Sequence, residues 1–306
     1  MSASNAIQSK RKPAIQVQGM TKSYGKVRAL RGIDLVVRQG EIFGFLGPNG
    51  AGKTTTIRCL LDMIRPDGGK ALLLGLDPQV DPVSVQSRTG YLPGEVQYYD
   101  NMTVERQLRF FGDMRNGHGD WGNACLLAER LSLDLKQQIK NLSKGNKQKI
   151  GIIQALMHRP ELLLLDEPTS GLDPLMQQEV IFLLREANAA GATIFFSSHI
   201  MSEVENVAER VAIIRAGEII DVAETASLTR RSLNRLIIRF KTAVDVTQLS
   251  CLPGVEILSR TGETNVTLQV AGDMQALVQT LGRLPVLDLE TERPGLEEVF
   301  LAYYKK

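Results

Sequence analysis

Cysteine is scarce in this chain: three in 306 residues, at Cys59, Cys125 and Cys251. They are far apart, odd in number and without C-x-x-C spacing, which argues against a disulfide framework or a cysteine-bound metal and for a reducing, cytosolic setting. Packing is the role expected of them. Long apolar runs are missing too. A membrane-spanning helix needs about 18–20 uninterrupted apolar residues, and charged residues cut every candidate run. The chain is therefore not expected to cross a bilayer by itself. Neither sign of charge is in excess: the formal net charge is +2, and no basic block is paired with aromatic residues, so no nucleic-acid partner is expected. The opening segment, 1–13, is polar and carries Lys10, Arg11 and Lys12 but lacks the apolar centre of a signal peptide, and reads as a disordered tail.

What remains is an ordinary globular composition, 43% hydrophobic and 23% charged, on a chain long enough for one large domain and a smaller one. Short apolar runs alternate with helical stretches through the first 225 residues, the pattern of an α/β fold with a mostly parallel sheet covered by helices. Buried strands are expected at Ile42–Leu46, Leu162–Leu165 and Thr193–Phe196, each ending at a motif. Between Tyr91 and Pro160 the strand signal fades, and Val104–Met114 and Cys125–Leu131 read as helices of an inserted helical subdomain, about 92–160. From about Arg230 strands at Leu236–Phe240, Val255–Leu258, Val266–Val270 and Val286–Leu289, a helix around Met274–Leu281 and a last helix from Leu296 describe a small α+β domain. The expected division is 1–13, 14–229 and 230–306.

After the apolar stretch Ile42–Leu46 comes Gly47-Pro48-Asn49-Gly50-Ala51-Gly52-Lys53-Thr54, which spells G-x-x-x-x-G-K-[ST]. A strand, a glycine-rich loop and a helix in that order make a phosphate-binding P-loop. Glycines let the backbone wrap a phosphate with its N–H groups inward. A helix starting at Lys53 and continuing through Thr54, Thr55, Thr56, Ile57 and Leu60 aims its positive end at the phosphates. Lys53 supplies charge to the β- and γ-phosphates, and the Thr54 hydroxyl can ligate Mg²⁺. A second acid-bearing strand, Leu162-Leu163-Leu164-Leu165-Asp166-Glu167, offers Asp166 to Mg²⁺ through water and Glu167 to polarise an attacking water.

Together these motifs resemble the nucleotide-binding subunits of ABC transporters over nearly all of 14–225. Residues 47–54 resemble Walker A, with Thr55 joining the nucleotide-binding set, and 162–167 resemble Walker B. Tyr24 stands where the family stacks an aromatic on adenine. Leu142-Ser143-Lys144-Gly145-Asn146 falls at the signature sequence, Ser170-Gly171-Leu172-Asp173 resembles the D-loop, and His199 resembles the switch histidine that contacts the γ-phosphate. The resemblance implies ATP and Mg²⁺ as cofactors, catalytic roles for Glu167, His199 and Lys53, and nucleotide contacts from Ser143, Gly145 and Asp173. It also implies a head-to-tail homodimer around two ATP molecules, in which Ser143 and Gly145 complete the partner's P-loop.

Two departures stand out. Lys144 and Asn146 replace the usual glycine and glutamine of the signature, while Ser143 and Gly145 are kept. The glutamine that senses Mg²⁺ and links to the membrane subunit falls at Gly94 of Tyr91-Leu92-Pro93-Gly94-Glu95, so either Glu95 substitutes as a metal contact or the loop's backbone carries coupling. The C-terminal Gly295-Leu296-Glu297-Glu298-Val299-Phe300-Leu301 resembles exporters of drugs, lipids or polysaccharides. The expected function is thus the ATP-hydrolysing subunit of a membrane exporter, peripheral at the cytoplasmic face and bound to integral permease subunits. The competing expectation is a soluble ABC ATPase acting on ribosomes or DNA, whose relatives carry two cassettes or a long coiled coil. One cassette and no heptad run stand against it.

Overall fold

A computed structural model describes residues 11–115, 120–227, 234–270 and 274–292. The chain divides into two compact units, 1–224 and 225–306.

In the first unit the elements follow as β1 (Pro13–Tyr24), β2 (Val27–Arg38), β3 (Ile42–Leu46), α1 (Lys53–Leu60), β4 (Gly68–Leu73), α2 (Pro82–Ser87), β5 (Thr89–Leu92), α3 (Val104–Asp113), α4 (Trp121–Arg130), α5 (Lys144–Leu156), β6 (Leu162–Asp166), α6 (Pro174–Ala189), β7 (Thr193–Ser198), α7 (Met201–Val207), β8 (Arg210–Arg215) and β9 (Glu218–Glu224). A six-stranded sheet runs β5-β6-β7-β3-β8-β9. Its first five strands are parallel and β9 closes the edge antiparallel. Every residue of β3, β6 and β7 is buried, because helices or strands cover both faces of such a sheet. That double burial is why these strands read as unbroken apolar runs. Phe43 stacks on Phe195 with ring centroids 6.0 Å apart, and Phe45 meets the same ring at 5.2 Å, tying β3 to its neighbour β7.

A second sheet, β2-β1-β4, is antiparallel. It has no counterpart in the sequence reading. Register shifts interrupt β1 between Val17 and Met20 and again between Lys22 and Ser23, and Gly19 sits at φ 57°. Such bulges break the two-residue alternation by which a half-buried strand is recognised. Between β5 and β6, α5 packs on α3 and α4. Each of the three helices starts on a capping side chain: Thr103, Asp120 and Ser143 accept from the N–H three residues on, which satisfies one of the otherwise orphaned first-turn donors. Trp121 opens α4, with the Arg109 guanidinium 3.8 Å from its ring centroid, so its role is a cation–π anchor between α3 and α4.

The second unit contains β10 (Asn234–Phe240), α8 (Thr247–Ser250), β11 (Val255–Thr261), β12 (Asn265–Val270), α9 (Gln275–Leu281) and β13 (Val286–Glu292). Its antiparallel sheet runs β11-β12-β10-β13. Leu236, Ile238 and Phe240 alternate toward one face with Val266, Leu268 and Val270, and Leu249 of α8 and Leu277 of α9 complete that core. The expected helix from Leu296 and the motif 295–301 lie outside the described residues.

Of the cysteines, Cys59 alone is fully packed. Burial pushes its thiol up to about 11, which leaves it protonated and unreactive. Cys251 is exposed and does not pack.

His158, expected at a surface or helix position, follows the end of α5 with both ring nitrogens buried. Burial first, and then the charge of Arg115, lower its pKa to about 4. A histidine whose folded pKa lies below its unfolded value contributes stability above about pH 6.5 that is lost as pH falls toward 4. Urea unfolding at pH 7 and pH 5 is therefore expected to show the acid-side loss diminished in His158→Gln by about 1 kcal/mol, the part left after discounting for solvent access.

Candidate active site

The carboxyl ends of β3, β6 and β7 converge, and each delivers one motif. From β3 the chain enters 47–52, whose glycines are fixed by space and by backbone angle. A Cβ at Gly47 would lie 2.4 Å from the Ile214 carbonyl oxygen, and one at Gly52 would lie 2.7 Å from that of Ala29. Gly50 and Gly52 hold φ of 79° and 112°, a region that costs other residues about 1–2 kcal/mol. The Gly47 N–H donates to the Ser198 carbonyl at 3.2 Å and the Ala51 N–H to that of Pro48 at 3.1 Å, so the loop is stitched to β7 and to itself. Asn49 and Gly50 at its tip are exposed.

Gly52 is the N-cap of α1, with no side-chain cap and no acidic residue in the first turn. The first-turn donors are left to an anion. Lys53, buried, donates from Nζ to the carbonyl oxygens of Gly47 at 2.7 Å and Pro48 at 3.2 Å. Thr54 and Thr55, half-buried, follow it on the helix.

Strand β6 ends in Asp166, which is buried. Its Oδ2 accepts from the Thr54 hydroxyl at 2.6 Å, and its Oδ1 accepts from the Ser197 hydroxyl on β7. Thr54 and Asp166 present hard oxygen donors side by side. Among the described residues no group of three or more His, Cys, Asp or Glu gathers as a cage. This donor set fits Mg²⁺, which keeps waters and takes few protein ligands when phosphates supply the rest.

Glu167 follows at φ 50°, an uncommon conformation for a non-glycine residue. Its N–H donates to the Ser197 carbonyl at 3.2 Å and hydroxyl at 3.1 Å, and its carbonyl accepts from Gln148 Nε2 at 3.1 Å. The side chain is thereby aimed into the site. Glu167 Oε1 lies 3.5 Å from Lys53 Nζ and 3.0 Å from His199 Nδ1. Because a carboxylate only accepts, Nδ1 carries the proton in that contact and Nε2 is left for another group.

Lys53, Thr54, Asp166, Glu167 and His199 are thus within one set of contacts. The remaining sequence-expected residues lie apart from it or serve other contacts. Ser143 caps α5, its hydroxyl accepting from the Asn146 N–H at 3.2 Å. A Cβ at Gly145 would lie 2.6 Å from the Gly171 carbonyl, so the signature and D-loop segments of one chain touch, and Lys144 passes its stem beside Gly171. Asp173 caps α6 through the N–H groups of Leu175 and Met176. Tyr24 is 48% exposed, with Lys22 Nζ 5.8 Å from its ring centroid, and so keeps a free aromatic face. At the metal side a Cβ on Gly94 would stand 3.0 Å from Asp166 Oδ2. The backbone of Gly94 therefore approaches the carboxylate, while Glu95 is exposed.

Sequence reasoning missed Ser197, Gln148 and Glu203. Ser197 was visible in principle, as a hydroxyl ending a buried strand just before His199. Gln148 and Glu203 carry no spacing rule that marks them.

The ABC transporter family model matches residues 30–170. The linearmycin resistance ATP-binding protein LnrL of Bacillus subtilis is 31% identical over 94% of this chain and 97% of its own length. The bacitracin transport ATP-binding protein BcrA of Bacillus licheniformis is 36% identical over 74% of each chain. Among solved structures, an ATP binding subunit of an ABC transporter superposes with TM-score 0.66 at 28% identity, covering 71% of this chain and 92% of the other. An ATP-binding cassette in a dimeric post-hydrolysis state with ADP and Pi gives 0.61 at 21% identity over 69% and 98%, a likeness of fold. With near-complete coverage of a relative above 30% identity, and with the motifs in family order, the chain belongs to the ATP-binding subunits of ABC transporters.

Proposed function

We propose that this chain hydrolyses ATP in a head-to-tail dimer to power a membrane exporter, with Glu167 as the base for the attacking water. The observation that carries the proposal is the Glu167 carboxylate held at φ 50° against both Lys53 and His199. Lys53 would leave its loop carbonyls for the β- and γ-phosphates, and the first-turn N–H groups of α1 would bind the phosphate oxygens. Thr54 and Asp166 would hold Mg²⁺, which supplies charge neutralisation at the phosphates when bound. His199, its Nδ1 proton engaged by Glu167, would offer Nε2 to the γ-phosphate. Ser143 and Gly145 would serve the partner's nucleotide, and Tyr24 the adenine.

The membrane contact is assigned to a cleft of about 840 Å³ that Tyr91, Met114, Arg115 and His158 help to line. On its rim Met63, Val83 and Met114 are 57%, 76% and 66% exposed, apolar area that a permease helix would cover. Export as the work being powered is supported by the linearmycin resistance and bacitracin transport relatives. None of the helices described is long and apolar enough to cross a membrane.

Copurification from membranes, mass-spectrometric identification of the bound integral protein and ATPase assays with and without it test this reading. In the same assay Glu95→Ala is expected to keep basal turnover within about twofold and to lower partner-stimulated turnover about threefold to tenfold. Parental values of both would leave coupling to the Gly94 backbone.

A further inference from the structure

Glu203, on the first turn of α7, is a buried carboxylate, 8% exposed. Its Oε1 accepts from the Thr169 hydroxyl. Its Oε2 accepts from the Ser198 hydroxyl at 2.6 Å, and that hydroxyl in turn accepts from the Ile200 N–H at 2.9 Å. Thr169 and Ser198 are 4% and 1% exposed. In sequence, Thr169 stands two residues after Glu167, and Ser198 immediately precedes His199. One carboxylate therefore holds both chain segments from which the Glu167–His199 contact is built.

Burying a carboxylate is costly unless its oxygens are satisfied, and simple packing at this position would be met by an apolar side chain. Two hydroxyl donors need two acceptor oxygens. A carboxylate supplies both, whereas an amide supplies one oxygen and one NH₂. We propose that Glu203 is a positioning residue that sets the distance between Glu167 and His199 by bridging Thr169 and Ser198. The proposal rests on the catalytic reading of that pair given above.

Glu203→Gln keeps the volume and disrupts one end of the bridge. It is expected to lower kcat about tenfold with KM for ATP within about twofold, while the thermal midpoint stays near that of the parent. Ser198→Ala should reproduce the kcat effect from the other side. Combined with His199→Ala, Glu203→Gln should add no further slowing, since residues acting through one another are not additive. Parental kcat in both single variants, or full additivity with His199→Ala, overturns the proposal.

A second measurement does not depend on turnover. With three histidines in the chain, the His199 imidazole N–H is assignable by NMR, and Glu203→Gln should broaden or shift it while leaving His158 in place. If His199→Ala hydrolyses ATP at the parental rate, the catalytic reading fails, and the resonance still decides the bridge: altered, Glu203 positions His199; unaltered, it does not.

Discussion

Glu167→Gln is expected to bind ATP with parental affinity, to hydrolyse it about 10²–10³-fold more slowly, and to accumulate as an ATP-bound dimer. The amide keeps the size of the side chain and removes the proton acceptor, and general-base catalysis contributes about that range. Ground-state binding is spared because the groups proposed for phosphate, the α1 first-turn N–H donors and Lys53, remain. Glu167 Oε1 now receives both Lys53 Nζ and His199 Nδ1 at 3.5 and 3.0 Å, and an amide oxygen can still accept from one of them. The local arrangement is thus preserved better than the chemistry. Phosphate release under single-turnover conditions and size-exclusion chromatography with ATP measure the two halves. Hydrolysis at the parental rate would remove Glu167 as base and leave its strained backbone without a catalytic reason.

The parts of this site that were legible in the sequence are those whose physics is local. Strands β3, β6 and β7 are buried on both faces, so their apolar runs are continuous and end visibly at Gly47, Asp166 and, after two serines, His199. The glycines of the P-loop are legible because their replacement is blocked by neighbouring carbonyls or by positive φ. What was not legible is held by contacts between distant positions. Gln148 reaches the Glu167 and Pro168 carbonyls across 19 and 20 residues, and Glu203 reaches Thr169 across 34. No periodicity encodes either distance. The β2-β1-β4 sheet was missed for a different reason, its bulges, and Gly94 shows a third. Its identity announces the loss of a side chain, but that the backbone itself comes within a Cβ's reach of Asp166 is a fact of packing.

Lys53→Ala and Ser143→Arg chains are each expected to be inactive alone and to recover about one quarter of parental ATPase when mixed in equal amounts. Lys53→Ala removes the buried ammonium and with it ATP binding, because the loop's N–H groups alone face a polyanion without a counter-charge. Ser143→Arg places a long side chain at an exposed helix start, where the hydroxyl now caps α5, and blocks the surface proposed for the partner's nucleotide. In a head-to-tail dimer each site takes its P-loop from one chain and its signature from the other. The mixed dimer therefore has one site carrying both lesions and one carrying neither. Random exchange makes about half the dimers mixed, each with one working site of two, hence about one quarter. If Ser143 acted only on its own chain's nucleotide, every site in the mixture would carry one lesion and no activity would return. Titrating the mixing ratio while following ATPase separates the two arrangements, since a composite site gives a maximum at equal amounts and a self-contained site gives none at any ratio.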